Sequence, residues 1–177
     1  MVTTTMRIGR PSLLGPALAV SAAFVAVSFL RFGPGPEAIL AAYFACVLVA
    51  LSAIDVERRI LPNRIVLPSM IVVLAGRIAL EPGRTQEWVL AGAAAFAFFY
   101  VIALVYPGGL GLGDVKLAAL LGFGLGAAVV PAFVIGMTAA AVYSIALLVR
   151  HGPKARKITI AYGPFLAFGA LIALFVF

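Results

Sequence analysis

The sequence predicts an all-α membrane protein, a polytopic bundle of about seven transmembrane helices with a cytoplasmic N-terminus. Three observations lead there. Of 177 residues, 64% are hydrophobic and 11% charged, and the mean hydropathy is +1.19. A soluble domain carries roughly a quarter charged residues, and a soluble fold of this composition would turn large apolar patches to water. The apolar stretches are long, rich in Ala, Leu, Val, Gly and Phe, and lack the period-two alternation of barrel strands. In lipid such stretches satisfy their own backbone as helices. The charges, finally, sit in short clusters between the apolar stretches.

A spanning helix needs about 20 apolar residues. Residues 13–30 supply the first span. Arg7 and Arg10 ahead of it give a signal-peptide look, but the run is long enough to span and more spans follow, so it reads as a retained helix. Residues 37–54, 65–80 and 88–106 supply the next three. The stretch 115–149 is too long for one helix and holds Gly122, Gly124, Gly126 and Pro131, which divides it into two short helices near 126–131. Residues 158–177 supply the last. One transmembrane domain over 1–177 is expected, with no separate soluble or zinc-binding N-terminal domain.

The net charge of +7 does not indicate nucleic acid, because no polar domain presents the basic residues. They read as topology signals and contacts to lipid headgroups. With the N-terminus inside, Arg7, Arg10, Arg58, Arg59, Arg64, Lys116, Arg150, Lys154, Arg156 and Lys157 fall on the cytoplasmic side, against Arg31, Arg77 and Arg84 outside. Cys46, the only cysteine, lies in an apolar stretch and reads as core packing; His151, the only histidine, reads as a solvated loop residue. No metal or other cofactor is expected.

Six acidic residues remain to be placed. Glu37, Glu81 and Glu87 fall at outer helix ends or the outer loop, and Glu57 has Arg58 and Arg59 beside it as partners. Asp55 closes the second span, and Asp114 opens the fifth after Gly108-Gly109-Leu110-Gly111-Leu112-Gly113. Alone, each reads as a helix-boundary acid, and Asp114 as an N-cap. A negative charge at a helix C-terminus opposes the dipole, however, so Asp55 requires a partner from elsewhere. The threading puts both aspartates on one side at similar depth. Two carboxyls held together share a proton, one acting as base toward water while the other polarises a carbonyl. Gly111 and Gly113 allow another chain to approach the backbone closely. Lys116 has two readings, as an ionic partner of Asp114 or as a contact to lipid phosphate.

These residues resemble a known family. Asp55-Val56-Glu57-Arg58-Arg59-Ile60-Leu61-Pro62-Asn63 resembles the first active-site motif of the type IV prepilin peptidases, with Leu61 in place of the usual isoleucine. Gly111-Leu112-Gly113-Asp114-Val115-Lys116-Leu117 is similar to the second, GxGDxKL, and Tyr162-Gly163-Pro164-Phe165-Leu166-Ala167-Phe168-Gly169 resembles the Gly-Pro-Phe-Leu segment before the last helix. The resemblance implies a GxGD-type membrane aspartyl protease of the bacterial plasma (inner) membrane. It would cut the basic leader from prepilins or pseudopilins at the cytoplasmic face, commonly after a glycine. Asp55 and Asp114 would be the catalytic pair, with Gly111, Gly113, Pro62, Asn63 and Lys116 shaping the loops or contacting substrate. With one cysteine and no large polar insertion, the chain is similar to short, peptidase-only members. Two other classes compete: a proton- or cation-coupled transporter, which needs an aspartate at mid-bilayer, and a non-catalytic assembly subunit.

Overall fold

In the computed structural model the described residues are 13–106, 110–151 and 161–177. Their regular structure is entirely helical: α1 (Leu14–Phe32), α2 (Pro36–Arg58), α3 (Asn63–Leu80), α4 (Thr85–Val105), α5 (Leu112–Leu125), α6 (Val129–His151) and α7 (Gly163–Val176), with 3₁₀ turns at Pro82–Arg84 and Gly126–Ala128. The all-α, multi-pass membrane reading therefore holds. Five segments are long and apolar enough to span: α1, α2, α3, Pro82–Val105 with α4, and Leu112–His151, which holds both α5 and α6. The apolar α7 is shorter.

Local chemistry sets the boundaries. Pro36 starts α2 at a position where a missing N–H costs nothing. The helix does not stop at residue 54 but continues to Arg58, so Asp55 lies inside its last turn. Arg59 ends it in the left-handed conformation (φ 54°), its amide bonded to the Asp55 carbonyl at 2.8 Å. Pro62, extended, caps α3. The expected division of 115–149 is real but narrower than residues 126–131. Gly126 makes the break at φ 57°, while Pro131 falls in the first turn of α6.

Gly122 and Gly124 break nothing. A Cβ on Gly122 would stand 2.5 Å from the Ala91 carbonyl oxygen, and one on Gly124 would stand 2.6 Å from the Phe44 ring. They let α4 and α2 approach α5. Lipid gives little hydrophobic drive for helix association, so close packing over small residues carries this contact. α5 is the enclosed helix. Val115 and Leu117–Leu121 are all buried, within a core shared with Phe44, Leu48, Leu51, Val66 and Phe99. Outward positions such as Leu30, Val105 and Val149 stay exposed and apolar.

Consecutive helices pair as α1–α2, α4–α5 and α6–α7, while α3 lies on α5 and α7 on α2. Three hydrogen bonds define the two ends of the bundle. The Leu13 amide donates to Glu57 Oε1 at 2.7 Å, joining the start of α1 to the end of α2. At the opposite end Arg77 Nε donates to the Gly124 carbonyl at 2.8 Å, and Arg31 Nε to that of Phe175 at 3.5 Å. Glu57 is thus engaged by α1 and makes no ion pair with Arg58 or Arg59 among the described residues. Arg58, Arg59, Arg64, Lys116 and Arg150 belong to the first end, and Arg31, Arg77 and Arg84 to the second. Arg7, Arg10, Lys154, Arg156 and Lys157 lie outside the described residues. His151 is exposed as expected but ends α6 and is not a loop residue. Cys46 is a free, half-buried thiol.

Candidate active site

At the first end of the bundle, α2 finishes and α3, α5 and α7 begin. Asp55 projects from the last turn of α2 and is 6% exposed. The partner its position demands comes from α7, 108 residues further on: the Gly163 amide donates to Asp55 Oδ2 at 3.1 Å. Asp114 is the third residue of α5 and not its N-cap, which is Gly111. Its Oδ2 accepts the Gly111 amide at 3.3 Å, half of a capping box whose other half a glycine cannot provide. The segments that carry the two carboxyls meet at this end, where Gly113, beside Asp114, packs on Leu61 in the turn that follows α2.

Each carboxyl therefore has one oxygen held by a backbone N–H. Among the described residues neither Oδ1 has a hydrogen-bond partner. Nor is either sealed, since the only enclosed side-chain polar atom left unpartnered there is Trp88 Nε1, at the far end. Two oriented carboxyls, each with an oxygen that no described residue bonds, can take a proton from a water and give one to a substrate oxygen. Among the described residues no three His, Cys, Asp or Glu side chains gather as a metal-ligand set.

The other predicted residues tie the aspartate-bearing segments together. Lys116 Nζ donates to Asn63 Oδ1 at 2.9 Å, linking the N-terminal part of α5 to the start of α3; it makes no ion pair with Asp114. The Pro62 carbonyl accepts the Ile65 and Val66 amides at 3.0 and 3.1 Å. A Cβ on Gly113 would lie 3.0 Å from that of Leu61, so α5 meets the turn after α2 edge to edge. Gly111 is exposed at the mouth of the site. Gly108 and Gly109 lie outside the described residues. Sequence reasoning left Gly163 without a role. The signal that pointed toward it was the missing partner of Asp55.

A model of the type IV leader peptidase family matches residues 42–145, more than half of the chain. A prepilin leader peptidase/N-methyltransferase of Bacillus subtilis (strain 168) is 31% identical over 166 residues, covering 93% of this chain and 66% of that protein. Proteins of the same description from Burkholderia pseudomallei (strain K96243) and Xanthomonas campestris pv. campestris are each 30% identical, over 88% and 84% of this chain and 52% and 53% of theirs. The chain thus spans between half and two thirds of the length of these relatives. No solved structure matches it. The matched region contains Asp55, Asn63, Asp114 and Lys116, and on these grounds the chain belongs to the type IV leader peptidase family.

Proposed function

We propose that this chain is a membrane aspartyl endopeptidase that removes the leader peptide of a prepilin or pseudopilin at the cytoplasmic face of the plasma membrane. The observation that carries the reading is the pair of backbone-held carboxyls, Asp55 and Asp114, each with an oxygen that no described residue bonds, in a chain of this family. One carboxylate takes a proton from a bound water as its oxygen attacks the scissile carbonyl carbon. The other, protonated, gives its proton to the carbonyl oxygen. The tetrahedral diol then collapses, the nitrogen takes a proton, and the C–N bond breaks. The pair titrates as a unit, so the rate should fall at low pH, where both are protonated, and at high pH, where both are ionised.

Helix length suits this chemistry to a membrane surface. α5 and α7 have 14 residues each, about 21 Å, against a hydrocarbon core of about 30 Å. Their C-terminal ends lie with Arg77 and Arg31 at the far end. By this length their N-termini, which carry Asp114 and the Gly163 amide that holds Asp55, stop short of the near face, within reach of water. We place the basic end in the cytoplasm by the positive-inside rule, and the whole chain forms one peptidase domain. The relatives' description joins two activities; the carboxyl pair supports hydrolysis, and that activity alone is proposed here.

The test incubates the purified protein, in lipid nanodiscs, with a prepilin bearing a basic leader that ends in glycine. Wild type should yield the shortened product, while Asp55→Asn and Asp114→Asn should each lose at least about a thousandfold in kcat, on the scale of losing one member of a proton-transfer pair. Wild-type rates in either variant would sink the mechanism.

A further inference from the structure

A buried carboxyl at the end of α2 faces the negative end of its own helix dipole, so its orientation has to be imposed from outside. The start of α7 is built to do this. Among the first four residues of an α-helix, the amides have no partner inside the helix. In α7 the Phe165 and Leu166 amides both turn back to the Tyr162 carbonyl, at 3.1 and 3.2 Å, and Pro164 has no N–H. Among residues 163–166 the donor that remains is Gly163, buried, and it points at Asp55 Oδ2.

The residue type is dictated as well. A Cβ on Gly163 would lie 2.7 Å from Asp55 Oδ2, closer than real Cβ contacts come, and 3.2 Å from its carboxyl carbon, so the carboxyl would have to shift. The Gly163 φ is not positive, so space, and not backbone conformation, requires glycine here. Depth is set by a second seam. A Cβ on Gly136 of α6 would lie 2.6 Å from the Phe165 carbonyl oxygen, and one on Gly169 of α7 would collide with the Ala132 carbonyl. Further along, Phe175 stacks on Phe24 of α1 with ring centroids 5.7 Å apart. α7 is therefore held from both sides with its first amide over Asp55.

We propose that Gly163 is a positioning residue of the active site: its amide fixes Oδ2 of Asp55 and leaves Oδ1 as the oxygen that meets water or substrate. The α6–α7 seam at Gly136 then sets this alignment from a distance. The proposal rests on the peptidase reading and goes beyond it, because it makes α7 part of the site.

Gly163→Ala and Gly136→Ala test it, in nanodiscs with the same prepilin substrate. A carboxyl displaced by about an ångström can cost on the order of a hundredfold in rate. Gly163→Ala should lose about that much in kcat with KM within about twofold, and the pH range of maximal kcat should move. Gly136→Ala should show the same pattern with a smaller loss. A folded Gly163→Ala with wild-type kcat overturns the proposal, and so does a lower kcat with the pH profile unmoved, which marks a structural role only. If Gly163→Ala does not fold, Gly136→Ala decides, and an unchanged kcat and pH profile there overturns the proposal. The peptidase reading fails separately, if wild type does not cleave or Asp55→Asn does.

Discussion

Lys116 and Asn63 join α5, which carries Asp114, to the start of α3, which follows the turn after Asp55. Their bond is exposed, so its contribution is modest, about 1 kcal/mol for one charged donor in solvent. Lys116→Met should lower kcat/KM about three- to tenfold, while Lys116→Arg, which keeps a cationic donor, should lose less; kinetics on the purified variants measures both. Equal rates in Lys116→Met and wild type would separate this contact from catalysis. Gly113 is a stricter position, since a Cβ there already meets Leu61 at 3.0 Å. Gly113→Val should therefore push α5 off the turn that follows Asp55. It should abolish cleavage and cost about 1–3 kcal/mol in stability, the usual range for overpacking.

At the level of elements, the close approach of α4 to α5 holds the buried helix in place. Gly122 faces the Ala91 carbonyl and the Gly92 Cα, while Gly92 in turn faces the Phe123 ring. Gly122→Leu forces two backbones apart and should lower the thermal midpoint clearly, by several degrees or more for a loss of a few kcal/mol. Gly15→Ala, in α1 with nothing within 4 Å of its new methyl, should leave the midpoint unchanged. A thermal-shift series in one detergent compares them. Periodicity and length made these helices legible. The glycines of 115–149 read as breakers because a sequence shows their flexibility and hides their neighbours. Only Gly126, with its positive φ, breaks the chain; Gly122 and Gly124 are packing surfaces.

At the scale of the whole molecule, the proposed orientation predicts which end of the bundle faces the cytoplasm. In a Cys46→Ser background, a cysteine at Arg59 should react with a membrane-impermeant thiol reagent only after the cytoplasmic side is opened. A cysteine at Arg84, at the other end of the bundle beside Glu81 and Glu87, should react in intact cells. The reverse pattern would invert the topology and move the aspartates to the outer face. Both sites are exposed, so labelling reports sidedness and not burial.

Much about this protein was readable from its residues in order. Composition alone places it in the membrane, because so few charges cannot coat a soluble surface. The spacing of Asp55, Pro62 and Asn63, the GxGD run at Gly111–Asp114 and the Tyr162–Gly169 segment pointed to the family that the comparisons then showed. The tertiary structure decided the partners. Lys116 bonds Asn63 and not Asp114, Glu57 bonds the start of α1, and Asp55 is held by the Gly163 amide, 108 residues away. These contacts escape a sequence reading for a physical reason. A helix terminus advertises an unpaired amide or an uncompensated charge, but which terminus answers depends on how the helices pack, and that is set by contacts distant in the chain.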